Sequence, residues 1–304
     1  MELKHLKAFL VVAEELHFGR AASRLHMAQP QLSQWIRRLE ADLGVALFDR
    51  STRSVRLTDQ GAAIVEPVRE TLERAHAVEL AARMKGPGVF GRVRIGYAGA
   101  GSRAVIPPLG RVVRAEDPGI ELDLRSMLYG GATQRLVAYG ELDMGFSRLP
   151  VTHPGVEWRV FAYERLLAAL PLDHRLARQE TVAMRDLAAE PWVAFPADQG
   201  STVRDAGLLL AHEEGHLPRI VQEAPDSYAI LALVAAGIGV TLTVSSVRHI
   251  NVPGLVYREL AEQPTYLAAV VLWGPRPSRA TLRVLEILER LLPTPAPPEG
   301  RILA

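Results

Sequence analysis

The sequence predicts two unlike halves on one chain, an N-terminal winged helix-turn-helix and a C-terminal α/β domain, joined by a long linker helix. Three patterns carry that prediction. Apolar residues recur at helical spacing, with short breaks, through about the first 45 positions. A single heptad-like stripe then runs from residue 59 to 85. From residue 92 onward, short apolar runs alternate with helical stretches, as α/β folds require. A length of 304 residues suits two or three domains, and 48% hydrophobic with 23% charged residues suits a soluble globular chain.

Leu3, Leu6, Leu10 and Ala13, flanked by Phe9 and Leu16, predict the first helix. After a break at His17, a short second helix turns Phe18, Ala21, Ala22 and Leu25 inward, and its paired alanines let another helix cross closely. The connection HMA, 26–28, leads into QPQLSQWIRR, 29–38. As a helix this stretch puts Leu32, Ile36 and Leu39 on one face, continued by Leu43, and Pro30, Ser33, Gln34 and Arg37 on the other. The second face carries groups that hydrogen-bond base edges and phosphates. A short helix, a tight turn and a second helix with a polar outer face form a helix-turn-helix. VALF, 45–48, and SVRLT, 54–58, alternate around DRSTR, 49–53, which reads as a two-stranded wing with a basic tip. Arg50, Arg53 and Arg56 stand there to reach phosphates beside the recognition helix.

The formal charge of +1 conceals an asymmetry. Up to Thr58, nine Lys/Arg oppose six Asp/Glu, giving +3 and leaving about −2 for the rest. There is no cysteine, which excludes disulfides, thiolate metal sites and thiol nucleophiles. MELKH opens an amphipathic segment instead of a signal peptide, and no apolar run is long enough to span a bilayer. A cytoplasmic protein with no membrane partner is expected.

Residues 16–61, LHFGRAASRLHMAQPQLSQWIRRLEADLGVALFDRSTRSVRLTDQG, resemble the winged helix-turn-helix of LysR-type transcriptional regulators almost without gaps. HFGRAA, 17–22, is similar to the subgroup that controls aromatic-compound catabolism. The resemblance implies that Gln29, Pro30, Ser33, Gln34 and Arg37 face the major groove of double-stranded promoter DNA, with Arg53 in the wing. Two positions depart from the family pattern: Ala28 stands where Ser is usual, and Trp35 where Gln is usual. Trp35 lies at the edge of the apolar stripe, between packing and base contact.

Thr58 can cap a helix whose inward positions are Val65, Val68, Leu72 and Ala75, running to about Lys85. Pro67 lies inside it, where proline costs ~3 kcal/mol or kinks the helix, so a bend is expected near 63–67. A long helix between two domains has little of its own chain to pack on. The resemblance implies that it pairs with a second subunit, giving a homodimer and, as a dimer of dimers, a homotetramer. The expected organisation is a DNA-binding domain at 1–58, the linker helix at 59–85, a hinge at 86–91, a regulatory domain at 92–292 and a mobile, polyproline-like tail at 293–304.

In the regulatory half, strands are expected at 93–97, 120–124, 143–146, 166–170, 192–195, 220–223, 240–243 and 267–273. Helices are expected near 103–116, 132–139, 202–214, 227–236 and 279–292, in an α/β fold with largely parallel sheets. The resemblance implies two subdomains of periplasmic-binding-protein type, 92–162 plus 268–292 and 163–267, with a small-molecule effector in the cleft between them. Matching positions are Ala100 and Ser102 in the loop 99–102, Gly130 and Thr133 at a helix start, and Arg148. Across the cleft they are Pro196, Ser201, Thr202 and Ser227. Related aromatic-pathway regulators present hydroxyls where this chain has Ala100 and Gly130, which leaves Ser102, Thr133 and Arg148 as anion contacts. Arg148 has a second role open to it, an ion pair with a carboxylate across the cleft. The function implied is a sequence-specific transcriptional regulator whose DNA geometry changes when an aromatic or dicarboxylic acid metabolite binds. RNA polymerase is a partner if it activates; no enzymatic activity and no cofactor are implied.

Two further motifs suggest other chemistry. GAGSRA, 99–104, fits GxGxxA after a strand, with Glu121 and Asp123 about twenty residues on, the pattern of a Rossmann-like nicotinamide-cofactor site in a cofactor-sensing repressor. Pro107 and Pro108 argue against a regular Rossmann helix there. HEEGH, 212–216, is a literal HExxH, but Gly215 before LP is a helix stop that turns His216 off the helix, and no third ligand stands at a recognisable distance. No metal and no catalytic residue are expected.

Overall fold

A computed structural model describes residues 1–50, 55–83, 88–126 and 128–303, the side chains of Arg50, Arg83, Ala100 and Gln199 excepted. The chain divides into two compact units, Met1–Arg92 and Val93–Ala304.

In the first unit, α1 (Leu3–Glu15), α2 (Phe18–Arg24) and α3 (Gln29–Leu43) form the expected helix-turn-helix. Phe9 and Val12 from α1, Ala21 from α2, and Leu32, Ile36 and Leu39 from α3 are excluded from solvent. Fully burying one such aliphatic or aromatic side chain contributes roughly 1.5–3 kcal/mol. Leu16 ends α1 in the left-handed region, and His17 caps α2 by accepting the Arg20 N–H through Nδ1 at 3.2 Å. Pro30 sits in the first turn of α3, where its missing N–H costs nothing, and Gly44 (φ 72°) closes the helix.

Strands β1 (Phe48–Arg50) and β2 (Val55–Leu57) pair antiparallel, Phe48 opposite Leu57 and Asp49 opposite Arg56. Glu40 of α3 fixes this wing by accepting the Leu47 and Phe48 N–H groups at 2.9 and 3.3 Å. Thr58 Oγ1 donates to the Ala46 carbonyl at 2.8 Å and accepts the Gly61 N–H at 2.9 Å, capping α4 (Asp59–Arg83). The helix continues through Pro67. Of its expected dimer seam, Val68 is buried and Val65 and Leu72 pack on the helix-turn-helix core, so that three of the four expected positions are used within their own unit. The expected hinge at 86–91 falls partly on residues outside those described.

In the second unit, β3 (Gly91–Gly96), α5 (Gly99–Glu116), β4 (Ile120–Arg125), α6 (Gly130–Ala138) and β5 (Met144–Arg148) follow in order. The long β6 (Glu157–Pro171) comes next, then β7 (Thr181–Val182), α7 (Met184–Ala188), β8 (Pro191–Ala194), α8 (Thr202–Glu213), β9 (Arg219–Glu223), α9 (Ser227–Ala235), β10 (Thr241–Val244) and β11 (Leu255–Leu260). The last elements are β12 (Thr265–Trp273), α10 (Arg279–Leu291) and β13 (Arg301–Leu303). Strands align in the order β4-β3-β5-β12-β6-β11-β7, with β10 also on β6 and β13 also on β12.

The largely parallel arrangement expected of the sheets holds for β3 with β5 and β8 with β9 but not for the centre. There β12 runs antiparallel to both β5 and β6, and β6 antiparallel to β10 and β11, because a strand that carries the chain back must oppose the one that brought it across. α5 runs through both Pro107 and Pro108, spans the helix expected near 103–116 and starts four residues earlier. The tail also differs from its expected mobility: Arg301–Leu303 pairs in parallel with Thr265–Leu267, and Arg301 makes two hydrogen bonds to Glu213, at 2.6 and 2.7 Å. Among the described residues no helix is long and apolar enough to cross a membrane.

A Cβ at Gly61 would lie 2.1 Å from the Leu47 carbonyl oxygen, so α4 approaches the wing as closely as a glycine allows. Gly61→Ala is expected to cost about 1–3 kcal/mol through this backbone overlap, read by denaturant unfolding. Unchanged stability would show that the approach is looser.

Candidate functional site

The outer face of α3 is exposed at Gln29, Pro30, Gln34 and Arg37 and partly buried at Ser33. Arg37 Nε donates to the Ser33 carbonyl at 3.3 Å, and its guanidinium pairs with no carboxylate among the described residues. Arg38 is held by Asp42 at 3.2 Å. On α2, Arg24 pairs with Glu14 at 2.7 Å and Arg20 with Glu15 at 3.2 Å. The positive charge of α2 is thus largely offset, and Arg37 keeps its own. The backbone of Arg50 closes β1, while its side chain and Arg53 lie outside the described residues. Trp35 turns inward, its ring 5.9 Å from that of His5 and 5.7 Å from the Lys4 ammonium, against the helix-turn-helix core.

In the second unit a cleft, partly open to solvent, is bordered by the first turns of α5, α6, α8 and α9. Helix N-termini present N–H groups and a positive dipole end. Ser201 caps α8 by accepting the Arg204 N–H at 3.4 Å, and Asp226 caps α9 by accepting the Tyr228 and Ala229 N–H groups at 2.8 and 3.0 Å. Neither α5 nor α6 has a side-chain cap.

The apolar walls are Tyr129, Phe146, Phe161 and Phe195. Phe161 enters through a bulge in which Ala162 and Val160 oppose consecutive residues of β12; bulges re-aim side chains in this way. It meets Phe146 edge-on at 5.5 Å, and Tyr129 meets Phe195 likewise at 5.5 Å. The Tyr129 hydroxyl donates to the Pro225 carbonyl. Burial, and then the negative charge of Asp226, push its phenol up to about 12.

Of the residues expected at the effector site, the cleft brings together Ser102, Gly130, Arg148, Ser201, Thr202 and Ser227. Thr133 does not reach it. It is fully buried, its hydroxyl donates to the Leu128 carbonyl at 2.9 Å, and its methyl fills the space a Cβ on Gly145 would need. Pro196 lies outside the lining, and the Ala100 side chain is not among those described. Ser102 Oγ donates to the Ala98 carbonyl.

Arg148 is engaged in the ion pair that the sequence left open. Its Nε and Nη2 lie 2.7 and 2.5 Å from Glu164 Oε2, and Ser246 Oγ donates to Oε1. The Glu164 side chain is 5% exposed. Sequence reasoning missed this carboxylate and the aromatic walls. A lone acid in RVFAYERLLAALP was the available signal for Glu164, whereas the bulge behind Phe161 leaves none.

GAGSRA starts α5, but a Cβ on Gly101 would lie 2.5 Å from Glu164 Oε1. A buried carboxylate there opposes a pyrophosphate. In HEEGH, α8 ends at Glu213, Gly215 takes φ 77°, and Glu213 is bound to Arg301. No group able to hold a metal ion is found among the described residues.

A winged helix-turn-helix with an exposed polar recognition face, on a chain whose α/β unit encloses a cleft ringed by helix N-termini, defines a DNA-binding regulator with a ligand-binding domain. Residues 3–62 match the bacterial regulatory helix-turn-helix protein family, lysR type, and residues 87–293 match the LysR substrate binding domain. The chain belongs to the LysR family of transcriptional regulators. It is 38% identical to the HTH-type transcriptional regulator ShiR of Corynebacterium glutamicum (strain R), across 90% of this chain and 92% of that protein. With AlsR of Bacillus subtilis (strain 168) it shares 34%, across 86% of each. Its fold is similar to that of full-length CbnR complexed with its target DNA, with TM-score 0.66, 28% identity and coverage of 95% and 99%. Full-length BenM gives TM-score 0.59 at 25% identity, covering 98% and 100%. The family is one of regulators and not of enzymes.

Removing one partner of a buried ion pair costs about 3–5 kcal/mol, whereas replacing both by apolar groups can be neutral. Arg148→Met is therefore expected to destabilise the protein by that amount, and Arg148→Met with Glu164→Met to recover most of it in denaturant unfolding. A mild single variant would show that Glu164 is not dependent on Arg148.

Proposed function

We propose that this regulator reads a promoter sequence with Gln29, Pro30, Ser33, Gln34 and Arg37 of α3 in the major groove, and with Arg50 and Arg53 of the wing on the flanking backbone. The exposed, carboxylate-free guanidinium of Arg37 supports this reading most directly. The regulatory cleft takes a small organic acid, aromatic or dicarboxylic. Ser102, Gly130, Arg148, Ser201, Thr202 and Ser227 border the ligand, beside uncapped N–H groups of α6.

Occupancy shifts the population between assemblies whose recognition helices are differently spaced. The assembly is a homodimer through α4, and two dimers form a homotetramer. With Val65, Val68 and Leu72 packed on their own unit, the pairing surface falls to later positions such as Ala75 and the exposed Val78. The protein acts in the cytoplasm and, as an activator, meets RNA polymerase there.

Arg37→Ala is expected to weaken operator binding by about 1–3 kcal/mol and to relax preference at one base pair, measured by fluorescence anisotropy on a panel of operator variants. Unchanged affinity would remove Arg37 from base reading. A melting screen of the full-length protein with small aromatic and dicarboxylic acids tests the cleft, and silence across the screen would retire the organic-acid reading.

A further inference from the structure

We propose, on the reading that this cleft holds the effector, that it selects a ring carrying one carboxylate and one neutral hydroxyl, and that Thr243 reads the hydroxyl.

The argument begins with charge. Arg148 and Glu164 are the charged side chains among the described lining residues, and they neutralise each other. Arg148 cannot be drawn away by a ligand without leaving Glu164 buried with the Ser246 hydroxyl alone. A second anionic group therefore meets no uncommitted cation.

The helix starts give the same count. Asp226 accepts two N–H groups at the start of α9 and places its own carboxylate there, and Ser201 accepts one at the start of α8. The start of α5 faces a carboxylate, because a Cβ on Gly101 would lie 2.5 Å from Glu164 Oε1 and 3.1 Å from Ser246 Oγ. That leaves α6, which has no side-chain cap. The Cβ position of Gly130 lies 3.1 Å from Ser147 Oγ, 3.8 Å from the Gly200 carbonyl oxygen and 3.9 Å from Thr202 Oγ1, so helix N–H donors and two hydroxyls, one of them (Ser147) also donating to the Arg148 carbonyl, stand about one place beside a single carbonyl. One carboxylate is satisfied there, and a second is not.

Thr243 supplies an observation of a different kind. It is 7% exposed, lines the cleft, and its hydroxyl bonds to no group among the described residues. A hydroxyl that faces the cleft without a protein partner is free to bond a ligand there. A threonine hydroxyl both donates and accepts, which suits a neutral hydroxyl. The aromatic walls, Phe146, Phe161 and Phe195 among them, suit a ring between the two polar ends.

The test uses full-length protein with benzoate, its 3- and 4-hydroxy derivatives, isophthalate and terephthalate, which place a hydroxyl or a second carboxylate at matched positions. Thermal unfolding ranks the five acids and titration calorimetry gives Kd. At least one hydroxybenzoate is expected to bind about threefold to tenfold tighter than benzoate, and both dicarboxylates more weakly than benzoate. Thr243→Val keeps the shape and removes a hydroxyl with no protein bond to lose. Its melting temperature without ligand should be maintained, its benzoate affinity unchanged and its hydroxyl preference gone. A dicarboxylate that binds as tightly as the best hydroxybenzoate overturns the proposal while leaving the organic-acid cleft standing. So does a hydroxyl preference that survives in Thr243→Val. Failure of all five acids to bind overturns both.

Discussion

The Glu164 carboxylate imposes the constraint on which the regulatory unit turns. A charge this deeply buried demands partners, because desolvating it costs several kcal/mol that only close, well-aimed donors offset. Those donors come from distant segments: Arg148 ends β5, and Ser246 follows β10. β12 lies between β5 and β6, with Ala269 opposite Arg148 on one side and Ala162 on the other. The ion pair therefore bridges two strands that share no hydrogen bonds, and it fixes where they stand across β12. Gly101 completes the enclosure by bringing backbone where a side chain would not fit.

A cleft built around that pair is electrically quiet. Its anion-attracting character comes from peptide dipoles at helix starts more than from net charge, and two of those starts are occupied by Ser201 and Asp226. Recognition then depends on shape and hydrogen bonding, with Tyr129 reaching across to Pro225 as part of the wall. Such a site discriminates through groups left unpaired by the wrong ligand more than through attraction to the right one.

Periodicity made the N-terminal half legible. Leu32, Ile36 and Leu39 are solvent-free as their spacing demanded, and the polar face is where it was expected. Trp35 was ambiguous because a stripe edge does not say which way a large ring leans; the His5 and Lys4 side chains that receive it come from another helix. The seam of α4 misled in part, since a heptad pattern marks an apolar face without naming what covers it, and Val68 is covered by its own unit. In the regulatory half, β6 was visible only as 166–170. Its first half mixes exposed and buried positions around a bulge, which breaks the two-residue alternation that reveals a strand. Thr133 matched an effector position by sequence, yet a hydroxyl in the right register serves the fold when a carbonyl such as that of Leu128 lies within reach. β11 and β13 had no long apolar run to announce them.

The C-terminal strand has a consequence for how the sheet meets other chains. β12 shares one side between β5, along Ala269–Trp273, and β13, along Thr265–Leu267. Without β13 the latter stretch would offer unsatisfied N–H and C=O groups, a template for an intruding strand. At one end of the strand order, β4 alternates Glu121, Asp123 and Arg125 along its length, and at the other β7 is two residues long. Charge and brevity are how sheet edges resist aggregation. The polyproline-like tail thus delivers three residues that act as a stopper, keeping the central strand of a ligand-responsive domain from recruiting its neighbours.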